Sequence, residues 1–231
     1  MNKKIKFSQE LSYFVSIIVL AFAVSLMSAA NFGLSMIVAP AYILSQKLTF
    51  LTFGQCEYLL QGIFFIVFCI LMKKIRIQYF TSFLTCIIYG FFVDLWRKVV
   101  PILNPDITPP GSMDFYIRVI FFILGMLLTA MSVALCFKTY LPPQVYDYFV
   151  KEISQRFNID IIVFKRCFDA FMLILGTVLT LVFFRKFIGV TVITVFIALT
   201  NGVIIGFFDK LYEKIFDFTP TLSKLYKKFE N

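Results

Sequence analysis

The sequence predicts an all-α, polytopic membrane protein. About six transmembrane helices form two inverted three-helix repeats, each with a short interfacial or re-entrant helix. Three observations lead there. Of 231 residues, 60% are hydrophobic, 31 are Phe and only 15% are charged, whereas soluble chains run nearer half apolar and a quarter charged. The apolar residues gather in six runs, and the last three runs match the first three in order. The surplus apolar surface must therefore face lipid.

The runs are 11–31, 58–72, 77–93, 119–137, 171–184 and 187–208. A helix needs about 20 apolar residues to cross roughly 30 Å of hydrocarbon, so the shorter runs borrow from their flanks. In this way "FKRCFDAFMLILG" (164–176) joins the fifth span and brings Lys165, Arg166 and Asp169 into its first turns. The first run follows "MNKKIKFSQE" and ends in "MSAA", as a secretory signal would. Signal cores are about 7–15 residues long; this run is longer and precedes five more, so it reads as a retained helix.

Met36–Lys47 is apolar nearly all round, with Pro40 near its start. It is interfacial, or it dips into the membrane packed against protein, because a lipid-exposed loop would leave backbone groups unpaired. The prolines of "PILNPDITPPGSMD" (101–114) exclude a continuous helix there. In "PPQVYDYFVKEISQRF" (142–157), Val145, Phe149 and Ile153 share a face that Asp147, Lys151, Glu152 and Arg156 avoid. Pro143 suits a helix start, and the segment reads as an interfacial helix in the headgroup layer. The chain thus divides into a cytoplasmic N-terminus (1–10), a first repeat (11–98), an extracytoplasmic linker (99–115), a second repeat (116–211) and a basic cytoplasmic tail (212–231).

A net charge of +9 raises the question of nucleic acid, and the placement of the charge answers it. With the N-terminus inside, sixteen Lys and Arg fall on the cytoplasmic side, among them Lys3, Lys74, Lys138 and Lys165; six fall outside. That is the asymmetry that orients membrane proteins, so no nucleic-acid partner is expected. Five cysteines lie in or beside apolar runs without a CxxC pair, and read as small packing residues. There is no His, which removes the commonest general base and metal ligand. No metal site, cofactor or catalytic triad is expected.

Aligned on Phe53 and Phe164, the second and fifth runs share Cys56/Cys167 and a following carboxylate, Glu57 or Asp169. The third and sixth runs share a stripe of small residues four apart: Ser82, Cys86 and Gly90, and Ala198, Gly202 and Gly206. Both continue Gly-Phe-Phe with an Asp after it (Asp94, Asp209), and the first and fourth share Ala-x-Ser (Ala23/Ser25, Ala130/Ser132). Three spans per copy is an odd number, so the second copy enters the membrane upside down. Inverted repeats recur in secondary transporters, with the site near the midplane between copies. The small-residue stripes read as close helix packing, or alternatively as a groove that moves.

A small residue ending the first span, then "GLSMIVAP" (33–40), "TFGQ" (52–55) and "GFFVDL" (90–95), resembles the YitT/YczE/YyaS-type bacterial membrane proteins. The likeness covers most of 11–211. The second half departs from it at "GVTVITV" (189–195) and at "YLPP" (140–143). It implies a multi-pass protein of the bacterial cytoplasmic membrane and supplies no substrate.

The leading function is a small-molecule permease. Polar residues within apolar runs carry it: Asn31, Gln61, Thr200 and Asn201, because such groups are costly and often functional. Candidate substrate contacts are Glu57, Gln61, Asn31, Asn201 and Asp169. Glu57 has no cation within a helical turn, so it must stay hydrated, become protonated, or meet a ligand or a distant Arg97 or Arg118. Asp169 has Lys165 four residues before it and Arg166 three before it, and reads as a paired interfacial residue. One alternative is the membrane subunit of a vitamin importer, with Ala21, Ser25 and Ala29 as a docking stripe. Another is a non-transporting scaffold for a second protein, or a homo-oligomer. Enzymatic activity ranks last.

Overall fold

The computed structural model describes residues 4–73 and 76–230. Lys3 and Lys74, two of the cations counted as cytoplasmic, lie outside the described residues. Among the described residues, six helices of 20 to 24 residues are long and apolar enough to span a bilayer: α1 (Gln9–Ala30), α3 (Phe53–Met72), α4 (Ile77–Val99), α5 (Phe115–Cys136), α7 (Ile161–Phe184) and α8 (Val192–Ile215). Two short helices, α2 (Ala39–Lys47) and α6 (Val145–Arg156), fall between the first and second span of each half. The protein is an all-α polytopic membrane protein, and the order long–short–long–long occurs twice.

Local chemistry sets the span ends. Ser8 accepts from the Leu11 N–H, Asp160 from Ile162 and Val163, and Thr52 and Thr191 form capping boxes with Gln55 and Thr194. Each satisfies amide hydrogens that a helix start leaves unpaired. Asn31, Lys73 and Arg185 end α1, α3 and α7 in the left-handed conformation. The fifth span does borrow from its flank, beginning at Ile161, three residues before the stretch expected to join it.

Helix α1 is the centre. It packs on α4 and α5; α5 carries α8, and α4 carries α3. Its small residues allow this: a side chain at Gly125 of α5 would meet Met27 Cγ at 2.5 Å and the Ala23 carbonyl at 2.9 Å. Ala21, Ser25 and Ala29 are buried in this seam, with Ser25 Oγ 3.4 Å from the Val93 carbonyl. The stripe proposed for a partner helix is therefore used up inside the molecule.

The short helices pack against the spans of both halves. Helix α2 lies between α3 and α7, and α6 packs on α3, α4 and α7. Seven α6 residues are buried, including Tyr146, Tyr148 and Phe149, whose rings meet Phe64, Phe68 and Phe168. The amphipathic face read as lipid-seeking finds an aromatic pocket of the protein instead, where the rings gain edge-to-face contacts as well as burial. The turn before α6 is held from α4, where Ser82 donates to the Pro143 carbonyl (2.6 Å) and Thr85 to that of Pro142 (3.3 Å).

A two-stranded parallel sheet, β1 (Ile5–Ser8) with β2 (Phe216–Thr219), joins the two ends of the chain and places them on one face. Nothing in the sequence pattern announces it. Glu10 secures the joint by accepting from the backbone of Thr221 and Leu222 and from the Tyr140 hydroxyl (2.9 Å). Helix α9 (Ser223–Glu230) follows β2.

Candidate functional site

A cavity of about 380 Å³ lies among α1, α4, α5, α6, α7 and α8, closed on another side by residues 35–38. It exists because α8 packs along α5 but barely meets α7. The expected helix seam at Ala198, Gly202 and Gly206 is therefore absent. A side chain at Gly202 or Gly206 would have nothing within 4 Å, and Ala198 and Gly202 face the cavity. Small residues permit close approach without compelling it, and α8 takes its packing from α5. The matching stripe on α4 is a close seam, since a side chain at Gly54 would lie 2.0 Å from the Gly90 carbonyl oxygen.

The lining is apolar with polar groups from several elements: Ser16 of α1, Thr85 and Tyr89 of α4, Thr129 and Ser132 of α5, Gln144 and Tyr146 at the start of α6, and Asn201 of α8. Tyr89 Oη, Ser132 Oγ, Tyr146 Oη and Asn201 Oδ1 are buried without a hydrogen-bond partner. Leaving such atoms unpaired costs about 1–3 kcal/mol each, so they favour a solute or water that can hydrogen-bond to them. Three lining residues are of the charged types, Asp147, Lys165 and Asp169. Lys165 lies 3.0 Å from Asp147 and 3.2 Å from Asp169, which makes two carboxylates to one ammonium.

A second polar group stands one residue back from the cavity. Glu57 and Gln61, both with no exposed surface, sit on successive turns of α3. Gln61 donates to Gln144 Oε1 (2.9 Å), accepts from the Val145 N–H (3.2 Å) and lies 3.4 Å from Glu57 Oε2. It thereby caps the first amide of α6. Glu57 Oε1 has no partner, and the Tyr89 and Tyr146 phenols are within its electrostatic reach. A buried carboxyl without a counter-ion is accommodated neutral, or with a cation that comes to it.

Of the candidate residues, Asn201 and Asp169 line the cavity, and Glu57 and Gln61 buttress its wall through Gln144. Asp169 pairs with Lys165 as its spacing predicts, and Asp147 of α6 joins them. Asn31 stands apart: it ends α1 and donates to the Pro110 carbonyl at the surface. Thr200 satisfies itself on the Phe196 carbonyl, 2.8 Å away. Sequence reasoning passed over Ser132, Tyr89, Tyr146 and Gln144. The shared Ala-x-Ser marked Ser132 only as a position matched between the repeats, and Gln144 lay in "YLPPQV"; the two tyrosines gave no signal among eleven.

At the face that holds both chain ends, Lys138 lies 2.7 Å from Asp209 and 2.8 Å from Glu213 and so fastens α8 to the end of α5. Partial burial works against its charge. The hydrogen bonds and attraction of the two carboxylates outweigh that and hold the ammonium pKa above the ordinary lysine value. Tyr140 is pushed above the ordinary phenol value by burial and by the Glu10 carboxylate it donates to.

Residues 7–210 match the family described as a family of unknown function (DUF6198), and the chain belongs to that family. No curated protein and no solved structure matches it.

Proposed function

We propose that this member of a family without a known function is a small-molecule permease of the bacterial cytoplasmic membrane, with both termini in the cytoplasm. One observation carries the reading. A cavity within the size range of small-molecule sites, roughly 300–1,000 Å³, is walled by helices of both halves and lined with buried, unpartnered polar atoms. The repeated long–short–long–long order supports a duplication, and an odd number of spans per copy makes the copies inverted. In that arrangement a site between copies is the usual solution for transport. The likeness of "GLSMIVAP", "TFGQ" and "GFFVDL" to the YitT/YczE/YyaS-type proteins agrees with the membrane assigned. Orientation rests on the Lys/Arg asymmetry.

The experiment is reconstitution of the purified protein into liposomes, followed by uptake of labelled solutes from a broad metabolite pool. A permease accumulates at least one solute when alone in the bilayer. A scaffold accumulates none and instead co-purifies with a stoichiometric second chain, and that pair of results would end the transport reading. For topology, single cysteines are introduced by Ser112→Cys and Ser223→Cys, and intact cells are treated with an impermeant maleimide. Only the first should react; labelling at position 223 would overturn the orientation.

A further inference from the structure

The unpartnered atoms in the cavity wall share a property that restricts what fits there. Asn201 Oδ1 accepts hydrogen bonds and cannot donate, and Asp169 Oδ1 lies 3.2 Å from the Lys165 ammonium without receiving a well-directed hydrogen bond. Tyr89 Oη, Ser132 Oγ and Tyr146 Oη are hydroxyls, able to accept as readily as donate. Among the buried, unpartnered atoms of the wall none is an obligatory donor; the unpartnered guanidinium nitrogen of Arg97 lies outside the lining. The charge has the same sign. Asp147 and Asp169 share one ammonium, so the ionised lining carries one negative charge in excess. Tyr89, Tyr146 and Phe137 add aromatic faces, which attract cations.

We infer that the cavity takes a small protonated amine with an apolar body, its N–H groups meeting the Asp169 carboxylate and the Asn201 carbonyl oxygen. Lys165 keeps Asp147, 3.0 Å away, when the amine claims Asp169. The hydroxyls of Ser132 and Tyr146, 1% and 2% exposed, turn their lone pairs to the remaining N–H groups. An anionic solute meets no spare cation, and it faces two carboxylates. A neutral alcohol satisfies one acceptor at most and leaves the excess charge uncompensated. This assignment rests on the permease reading for the location of the site but not for its chemistry, because binding is measured without transport.

The test uses the purified full-length protein and three probes of one shape: 2-phenylethylamine, 2-phenylethanol and phenylacetate. Binding is read by calorimetry and by thermal shift in detergent, and uptake is read in proteoliposomes. The amine should bind at least about tenfold more tightly than the alcohol, a charge-assisted bond being roughly twice as strong as a neutral one. Phenylacetate should not bind. Asp169→Asn should weaken the amine by about tenfold or more. Should that variant accumulate poorly, Asn201→Asp provides the opposite sign at a different position, tightening the amine and leaving the alcohol unchanged. Equal or tighter binding of the alcohol or the carboxylate overturns the assignment, as does binding of none of the three. Amine binding without uptake of any solute supports the assignment and removes transport. Uptake of phenylacetate alone does the reverse.

Discussion

The α3–α4 and α7–α8 pairs occupy corresponding places in the two halves of the chain and carry corresponding stripes, yet one is closed and the other open. In the first, Gly54 and Gly90 bring the backbones together, and Asp94 reaches across to hold Thr52 Oγ1 (2.5 Å) and the Gly54 N–H (2.8 Å) at the start of α3. In the second, the position matching Gly54 is Lys165, and the matching Asp209 has turned to Lys138 at the end of α5. A lysine stem occupies space that a glycine leaves free, and its charge is committed to Asp147 and Asp169. The same small-residue stripe is thus a seam where its partner is a glycine backed by a cross-helix carboxylate. It becomes a cavity wall where its partner is a charged side chain. A stripe specifies what is allowed; the facing helix decides whether it is used.

The strongest way to break this comparison is to place side chains on the two stripes. Gly54→Ala drives a methyl into the Gly90 carbonyl and should cost about 3 kcal/mol, the upper part of the overpacking range, or stop accumulation altogether. Gly206→Ala should change melting by no more than about 0.5 kcal/mol. Gly202→Leu should keep the protein folded while filling the cavity and abolishing ligand binding. Equal melting of the Gly54 and Gly206 variants would mean that α3 and α4 are no closer than α7 and α8.

The carboxylates sharpen it at the next level. Glu57→Gln preserves shape and removes a buried acid with an unpaired oxygen, so transport or binding should be lost at near-normal expression. Asp169→Asn removes an ion pair and should lower stability by about 0.5 kcal/mol, the modest value of an i,i+4 pair, in addition to its effect on amine binding. A Glu57→Gln protein with full activity at every pH tested would reduce that residue to a packing element of α3. Gln61→Leu leaves the Val145 N–H and Gln144 without their partner and should cost about 1–3 kcal/mol by the burial of unsatisfied groups.

The smallest effect belongs to the fastening of α8. Lys138→Met should lower thermal stability by less than about 1 kcal/mol, and less again in high salt, because Glu213 is largely exposed. The native ammonium is favoured by its partners, so its contribution is fully present below the ordinary lysine value near 10.4. It is lost as pH rises through the elevated native value. Wild type and variant should therefore converge in strongly alkaline buffer, and a difference that grows with pH would contradict the pairing.

The six spans were legible in the sequence because bilayer thickness is a one-dimensional constraint: a run is long and apolar enough or it is not. Their ends were missed by several residues, because hydropathy fades gradually while the caps Ser8, Thr52, Asp160 and Thr191 act within three residues of themselves. The Lys165–Asp169 pair follows from spacing on one helix in the same way. Other features depend on which distant element answers a given face. The apolar side of α6 reads identically whether it meets lipid or the rings of Phe64 and Phe168, and the Gly202 stripe whether it meets a helix or a void. The parallel pairing of Ile5–Ser8 with Phe216–Thr219 spans almost the whole chain and leaves no local pattern. Tyr89 and Tyr146 became site residues only when α4 and α6 were set beside α5 and α8. Local hydropathy and periodicity carry the elements; the cavity is a property of helices that do not touch, which only the tertiary structure decided.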